Sequence, residues 1–317
     1  MSINKLSVFI SILLAVTFWS LSFVWYKLAL QHFGPITIIF LRLIISAPFL
    51  FILTYVIKKL QVIKIKDIKL FILLSFFEPF LYFVGESYGM TYISSTLAAV
   101  IVSTIPLFTP LVARYYFNER LTLTNFIGIV ISIFGVVLVV FHRGFTHPVD
   151  ASWEGISLMM LAVFSTLGYG VMVKKLTYSY NSFSIVAYQN FIGIFFFAPL
   201  FFILEFNHFR QVELNTTNLK PIIELSVFAS SFAFIFFTYG VKKIGISRAN
   251  IFVNLIPVLT AVFAFFILGE ALTILKVTGI LVVISGLFLS QLKRRKQVLI
   301  NKEPVPQEED NNLYIQN

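Results

Sequence analysis

The fold is decided by TYISSTLAAVIVSTIPLFTPLVARYYFNERLT, residues 91–122, and by a later stretch of the same pattern, KKIGISRANIFVNLIPVLTAVFAFFILGEALT, residues 242–273. Moving the second stretch back by 151 positions aligns the two without a gap. The matched pairs are Tyr88 with Tyr239, Pro106 with Pro257, Glu119 with Glu270, Gly128 with Gly279, and Gly135 with Gly286. A register kept through two apolar segments and the turn between them indicates an internal duplication. We therefore predict two related halves.

The composition indicates a membrane protein. Of 317 residues, 58% are hydrophobic and 12% are charged, which excludes a pair of soluble domains. The absence of cysteine excludes disulfides and thiolate chemistry. The net charge of +10 is spread over short loops, so we interpret it as orientation signals and lipid contacts, not as a nucleic-acid surface.

Ten segments are long and apolar enough to span a bilayer, for which about 20 residues are needed. The sequence therefore predicts an all-α membrane protein of ten transmembrane helices. The first segment is too long for a signal peptide and lacks a cleavage site, so we expect it to be retained. The predicted spans are 7–30, 35–57, 68–89, 94–116, 122–141, 153–173, 181–204, 219–240, 247–268 and 273–291.

The basic residues predict the orientation. They concentrate on alternate loops, which the positive-inside rule places in the cytoplasm together with both termini. The turn 89–94 has no basic residue, whereas its matched turn 240–245 contains Lys242 and Lys243. Since five helices is an odd number, the second half must enter the inner membrane inverted. We predict one repeat in 1–147, the other in 148–292, and a disordered cytoplasmic tail in 293–317.

With ten predicted helices and the duplicated stretches quoted above, the chain resembles the EamA family of the drug/metabolite transporter superfamily. The most specific shared feature is a proline, about a dozen apolar residues, then a glutamate followed by Arg-Leu-Thr or Ala-Leu-Thr, present twice. The resemblance implies an inner-membrane transporter, often an exporter of amino acids or other small metabolites. Relatives that expel cationic drugs use a carboxylate in the first helix, and the segment 7–30 has none.

Among the charged residues inside predicted spans, three stand out. A charge at the bilayer centre costs roughly 2.5–3.5 kcal/mol on insertion scales, so Arg42, Glu78 and Glu86 need an explanation. Tyr82 lies between the two glutamates on one stripe of the helix. In one interpretation Arg42 and a glutamate form a structural ion pair. In the other, a glutamate accepts a proton or a substrate amino group while Arg42 holds a carboxylate.

Other residues are candidates for a cavity or for hinges. Pro79, Pro106 and Pro257 interrupt spans, either as hinges or as packing bends. The matched glycines are expected to allow close helix packing, and Glu119 and Glu270 to cap helix ends. Polar or aromatic residues predicted to line a cavity are Trp19, Ser20, Ser103, Tyr169, Tyr188, Gln189, Asn190 and Asn254.

No motif for hydrolysis, zinc chemistry or ATP coupling occurs, so we expect no enzyme, no cofactor and no metal. The predicted function is secondary transport of a small organic metabolite such as an amino acid, with export as the direction that the resemblance favours. The alternatives are a carrier that expels cationic drugs and, from another class, a membrane-embedded enzyme. The expected partners are the solute and lipids, with proton coupling left open.

Overall fold

The computed structural model describes residues 3–108, 123–140 and 152–291, and the regular elements in these ranges are helices. This confirms the predicted all-α class. In chain order the helices are α1 (Ile3–Ala29), α2 (Pro35–Val56), α3 (Ile65–Tyr92), α4 (Ser95–Phe108), α5 (Leu123–Val140), α6 (Trp153–Leu176), α7 (Ser182–Phe209), α8 (Thr216–Ile244), α9 (Asn250–Leu268) and α10 (Ile274–Gln291).

Seven helices of the described ranges are long and apolar enough to cross a membrane, namely α1, α2, α3, α6, α7, α8 and α9. Shorter apolar helices, α4, α5 and α10, lie where three further spans are predicted. The predicted spans 94–116 and 122–141 run into residues outside the described ranges. Glu119 and the predicted tail also lie outside them, so the count of ten stays a prediction.

Local sequence explains where several helices begin. At the starts of α4, α6, α7 and α8, a polar side chain accepts a hydrogen bond from the backbone N–H three residues later, which satisfies a donor that the helix leaves free. Helix α2 instead begins with proline at its first position, which is favourable there because proline lacks an N–H. The capping residues are Ser94, Ser152, Asn181 and Asn215.

The matched glycines bring α5 and α10 into backbone contact. A Cβ atom on Gly135 would lie 2.6 Å from the backbone nitrogen of Val283, and one on Gly286 would lie 2.6 Å from that of Ser132. The Ser132 hydroxyl also donates a hydrogen bond to the Val283 carbonyl at 3.4 Å. Small residues allow this approach where lipid gives helices no hydrophobic reason to associate, so the predicted packing role is confirmed at these positions.

Helices α3 and α8 each contain a π-helical segment near the centre of the molecule. In α3 this segment is residues 76–81, where Glu78 has an extended backbone, with φ −149° and ψ 115°, before the buried Pro79. In α8 the segment Leu225–Ala233 is also a π-helix. Moving residues 76–81 by 151 positions gives 227–232, so the two irregular segments occupy matched places. Such bulges expose backbone groups and are frequent at functional sites.

Candidate functional site: a central charged cavity

A cavity of about 60 Å³, enough for a few water molecules, lies where seven helices meet. We call the lining residues of α1 to α4 the first wall and those of α6 to α9 the second wall. The first wall consists of Trp19, Ser22, Phe23, Arg42, Glu78, Tyr82, Phe83, Glu86, Val102 and Ile105. The second wall consists of Thr166, Tyr169, Phe234, Phe237, Asn250, Val253 and Ile256.

The two glutamates of α3 differ in their surroundings. Glu86 is 6% exposed and its Oε1 accepts a hydrogen bond of 3.0 Å from the Tyr82 hydroxyl. Glu78 is 5% exposed and forms no hydrogen bond with any residue that the structure describes. The break in the helix at Glu78 turns its carboxyl group into the cavity wall. One carboxyl group is thus held in place, while the other is left for a proton or a ligand.

Arg42 is fixed by a serine and an aromatic ring. Its Nε donates to Ser230 Oγ at 3.1 Å, and its guanidinium carbon lies 4.4 Å from the centre of the Phe83 ring. Asn190 supports this contact because its Nδ2 donates to the Ser230 carbonyl at 2.9 Å. Of the five guanidinium N–H groups, the described residues engage only the one on Nε. The two terminal nitrogens therefore have no hydrogen bond to a described residue, and their geometry suits an anion.

The ion pair of Arg42 with Glu78 or Glu86, which is the structural one of the two interpretations, is absent from the described residues, where the ion pairs within 4.0 Å are Lys220–Glu224 and Lys276–Glu270. The physical reason is the contact with Ser230, which draws the guanidinium toward α8. Arg42 and both glutamates nevertheless share the cavity wall. Their charges therefore act on one another across the cavity.

Aromatic rings form much of the remaining wall. The Trp19 ring centre lies 5.3 Å from that of Phe234 and 4.9 Å from that of Phe237. The Tyr169 ring meets Phe234 edge-on at 6.2 Å. These contacts join α1 and α6 to α8 and give the cavity an apolar side, which suits the aliphatic part of a small organic solute and stacks well with cations.

The two walls are related through the sequence. Six residues of the first wall have a matched residue on the second, at an offset of 147 between α1 and α6 and of 151 from α3 and α4 to α8 and α9. The pairs are Trp19 and Thr166, Ser22 and Tyr169, Phe83 and Phe234, Glu86 and Phe237, Val102 and Val253, and Ile105 and Ile256. Equivalent positions of the duplicated sequence therefore surround one cavity.

The structure brings some predicted lining residues to the cavity and places others elsewhere. Arg42, Glu78, Tyr82, Glu86, Trp19 and Tyr169 line it. Ser20 and Ser103 donate hydrogen bonds to carbonyls of their own helices, and Tyr188 packs against Phe51 and Phe71. Gln189, Asn190 and Asn254 are buried behind the wall.

The predicted hinge prolines lie at irregular points. Pro79 follows the break at Glu78 and packs against α7, where a Cβ atom on Gly193 would lie 2.5 Å from its ring. Pro106 follows a turn at residues 103–104 in α4, and Pro257 follows the 3₁₀ turns of Asn250–Leu255 in α9. All three are buried beside cavity-lining residues. Their role as hinges stays a prediction.

Two carboxylates at one end of the bundle join the halves. Glu205, at the end of α7, accepts hydrogen bonds from the backbone N–H groups of Ile36 and Thr37 at 3.1 and 2.7 Å. Thr37 adds its hydroxyl at 2.7 Å. We call this contact the Glu205 clasp. It caps α2, whose own N-terminal residues offer no capping side chain.

The second contact, the Glu270 clasp, caps α4. Glu270 accepts hydrogen bonds from the Ser95 and Thr96 backbone N–H groups at 2.9 and 3.4 Å and from the Thr96 hydroxyl at 2.6 Å. Lys276 Nζ donates to the same carboxylate at 3.3 Å. Glu270 is thus a capping residue, as the sequence predicts, but the helix that it caps belongs to the other half.

In the described part of the chain, seven helices are long enough to cross a membrane, and six of them line a buried, charged cavity together with α4, as expected of a multi-pass membrane protein with a polar space at its centre. A model of the EamA-like transporter family matches residues 6–141 and 153–292, so the chain belongs to this family and is a membrane transporter of the drug/metabolite type.

Known relatives agree with this assignment. An uncharacterized transporter of Archaeoglobus fulgidus is 30% identical over 281 residues, which cover 89% of this chain and 97% of that protein. The uncharacterized transporter YdfC of Bacillus subtilis is 24% identical, with 92% and 94% covered. A crystal structure with 14% sequence identity has a TM-score of 0.64 and covers 88% of this chain and 98% of that one, which shows a shared fold.

The apolar residues of the cavity wall were not predicted from the sequence. Phe83, Phe234 and Phe237 line the cavity, as do Thr166 and Asn250. In a chain with 38 phenylalanines, no single ring stands out from those that face lipid. The 151-residue offset could have identified two of these rings, because it matches Phe83 with Phe234, and Phe83 lies one helical turn from Glu86.

Proposed function

We propose that this transporter is a ten-helix carrier of two inverted halves that moves small metabolites bearing an amino and a carboxylate group, such as amino acids, by alternating access. The observation that carries the proposal is the cavity, which combines one guanidinium and two carboxyl groups with an aromatic wall. The proposed direction is export from the cytoplasm. The proposed repeats are residues 1–147 and 148–292.

The charges of the cavity favour a zwitterionic solute. The free terminal nitrogens of Arg42 suit a carboxylate, which guanidinium binds through two parallel hydrogen bonds. Glu78, without a hydrogen bond to a described residue, suits an ammonium group. With Glu86 also ionised, the cavity has a net charge of −1, and this excess is removed by a proton or offset by a cation. A zwitterion and a proton together satisfy all three groups.

The matched walls and the clasps support alternating access. Rocking of one half against the other around a central site is the usual mechanism of inverted-repeat carriers. The Glu205 and Glu270 clasps join the halves at the end of the bundle that the basic loops assign to the outside. At the other end, Asn181 donates its backbone N–H to Gln61 Oε1 at 2.6 Å. We propose that these contacts break in turn as the cavity opens to each side.

Because the chain has no cysteine, single cysteines report the orientation and the opening. In intact cells, an impermeant maleimide added outside is expected to label Glu213→Cys but not Val62→Cys, two exposed loop positions of opposite predicted sides. Ser22→Cys on the cavity wall should react with maleimide from outside in the outward-open conformation and from inside in the inward-open conformation. Ser132→Cys, buried between α5 and α10, is the control that should stay unlabelled. Labelling of Val62→Cys from outside would contradict the orientation.

The alternative drug-efflux function is favoured by the excess of carboxyl groups and by the rings of Trp19, Phe234 and Phe237, which stack well with cations. Arg42 argues against it, since a positive charge in the wall repels a cationic drug. Ethidium transport is the discriminating measurement. We expect proteoliposomes with the wild-type protein not to transport ethidium. Ethidium transport by the wild type that increases in Arg42→Gln would favour the alternative.

The decisive experiment is uptake of a tritiated amino-acid mixture by proteoliposomes, with and without a pH gradient. We expect accumulation by the wild type, and its loss in Glu78→Gln, because that substitution keeps the shape of the side chain but removes its charge and its proton. The matched control is Glu213→Gln, an exposed glutamate outside the cavity. Equal uptake by Glu78→Gln and the wild type would overturn the proposed role of Glu78, and no uptake by the wild type would overturn the substrate class.

A further inference from the structure

Three buried polar atoms that form no hydrogen bond with a described residue meet at the second wall, to which Tyr169 belongs. They are the Tyr169 hydroxyl, Gln189 Oε1 and Thr238 Oγ1. The three residues are 2%, 1% and 0% exposed and come from α6, α7 and α8. The Tyr169 hydroxyl lies beside the other two side chains, yet at a geometry that closes no direct bond. A buried polar atom without a partner costs about 1–3 kcal/mol, so three at one place need a common explanation.

A bridging water explains this arrangement. Buried waters make about three hydrogen bonds to polar groups that are otherwise unsatisfied, and this cluster offers three such atoms. A tyrosine and a threonine hydroxyl both donate and accept, whereas the amide oxygen only accepts. The cluster therefore combines the donors and acceptors that a water molecule needs to be held and to exchange protons.

The cluster lies between Glu78 and one end of the bundle. Tyr169 lines the same cavity as Glu78. Thr238 is one turn from Lys242, which is exposed near the end of α8 and donates to the Tyr180 carbonyl at 3.2 Å. Polar groups therefore lead from the cavity to the end of the bundle that the proposed orientation puts in the cytoplasm.

We propose that Tyr169, Gln189 and Thr238 hold water and form a relay that carries protons between the cytoplasm and Glu78. This deepens the proposed function, on which it rests, by naming the coupling ion and its entry path. Of the two glutamates, Glu78 is the one whose charge acts on Tyr169, whereas Glu86 accepts the hydrogen bond of the Tyr82 hydroxyl. Glu78 is thus the group that the relay serves.

The proton transfer is balanced at each step. A hydronium ion that reaches the cluster gives one proton to the bridging water, which passes another of its protons to a Glu78 oxygen. One O–H bond breaks and one forms each time, and the carboxylate loses its negative charge. Gln189 only orients the water, since its amide oxygen accepts hydrogen bonds and keeps no proton.

The charged and titratable groups around Glu78 set when it releases that proton. They are Arg42 from α2, Tyr82 and Glu86 from α3, and Tyr169 from α6, with Tyr26 of α1 acting on the group through Glu86. The positive charge of Arg42 favours ionised Glu78, and the ammonium group of the proposed solute competes with the proton for that carboxyl group. Solute and proton therefore bind Glu78 in turn, as the exchange of an entering proton for an exported solute requires.

The test uses Tyr169→Phe and Thr238→Val, which keep the shape of the side chains but remove their hydroxyls. The matched controls are Tyr188→Phe and Thr54→Val. Tyr188 lies on α7 and packs against Phe51 and Phe71, and the Thr54 hydroxyl donates to a carbonyl of its own helix. Proteoliposomes are assayed with the tritiated amino-acid mixture in two modes, accumulation driven by a pH gradient and exchange at equal pH. We expect the relay variants to lose about tenfold in driven accumulation and less than twofold in exchange.

A second readout needs no substrate. The infrared carboxyl band that Glu78→Gln removes is followed after a rapid drop in pH, and we expect it to appear at least fivefold more slowly in Tyr169→Phe than in Tyr188→Phe. An unchanged rate would overturn the relay. A rise in KM of the same size in both transport modes would show a substrate subsite instead, which also overturns it. Absence of exchange in the wild type would refute the proposed substrate class while the infrared rate still decides the relay.

Discussion

The two walls of the cavity occupy matched positions but carry different chemistry. Phe83, Val102 and Ile105 are repeated as Phe234, Val253 and Ile256, so the apolar frame is shared. The charged residues all belong to the first wall. The residues matched to Arg42, Glu78 and Glu86 are Gln189, Ala229 and Phe237. The two walls thus share an apolar frame at matched positions, whereas the charged residues lie on the first wall alone.

The clasps show the opposite asymmetry. Both carboxylates, Glu205 and Glu270, belong to the second half, and both capped helices belong to the first. Helix N-termini attract anions because of their free N–H groups and dipole. The charged residues of the cavity therefore belong to the first half, while the carboxylates that join the two halves at one end of the bundle belong to the second.

The largest effect is expected from Arg42→Gln, which makes this position identical to its match on α7. It removes the proposed anion-binding group and leaves the two carboxyl groups of the cavity without a positive charge beside them. We expect amino-acid transport in proteoliposomes to fall at least ~100-fold. The control is Arg210→Gln, an exposed arginine. Transport by Arg42→Gln with the wild-type KM would show that the difference between the walls has no function.

A smaller effect is expected from Ser230→Ala, which leaves Arg42 in place but removes the hydrogen bond to its Nε. Bonds to charged groups contribute about 1.5–3 kcal/mol. We expect KM to rise about tenfold, with kcat nearly unchanged, because the guanidinium is less well oriented. Ser231→Ala is the matched control, since that hydroxyl donates to the Ser226 carbonyl. An equal rise in both variants would rule out positioning of Arg42.

Gly34→Ala is expected to displace the Glu205 clasp. A Cβ atom at residue 34 would lie 2.3 Å from Glu205 Oε2, so the carboxylate must move away from the start of α2. Loss of a cap costs about 1 kcal/mol, which we expect to appear as a lower thermal midpoint in detergent. In a double-mutant cycle with Glu205→Gln the effects should not add, because both remove one contact. Additive losses would contradict the clasp.

The smallest effect concerns acid stability at the Glu270 clasp. Burial disfavours the charged carboxylate, but the hydrogen bond from Thr96 and the charge of Lys276 outweigh it and bring the pKa of Glu270 below its usual value. The resulting stability is present above the unfolded pKa of about 4.3 and is lost as pH falls through the lower folded pKa.

We therefore expect the wild type to lose more of its thermal midpoint than Glu270→Gln on acidification from pH 5 to pH 3, measured by scanning fluorimetry in detergent. Glu213→Gln, an exposed glutamate, should follow the wild type. A slope for Glu270→Gln that equals that of the wild type would show that the clasp contributes nothing to acid stability.

The sequence predicted the helical class, the glycine contacts and the charged residues of the cavity, because each depends on a local pattern. Apolar length predicts a span, a repeated glycine predicts close packing, and a charge within a span is too costly to be accidental. It predicted less well which polar residues line the cavity. Ser20, Ser103 and Tyr188 have the right type and depth, but helix rotation turns them to their own backbone or to neighbouring rings.

By itself, the sequence determined that this is a polytopic helical membrane protein with charged residues inside its spans, and it predicted two related halves, since composition, periodicity and repetition can be read directly from the chain. Only the tertiary structure decided that Arg42 binds Ser230 instead of a glutamate, that Tyr169, Gln189 and Thr238 meet, and that Glu205 and Glu270 cap helices of the other half. The physical reason is that each of these contacts joins residues at least 20 positions apart, and their geometry is set by how the helices pack rather than by any local pattern.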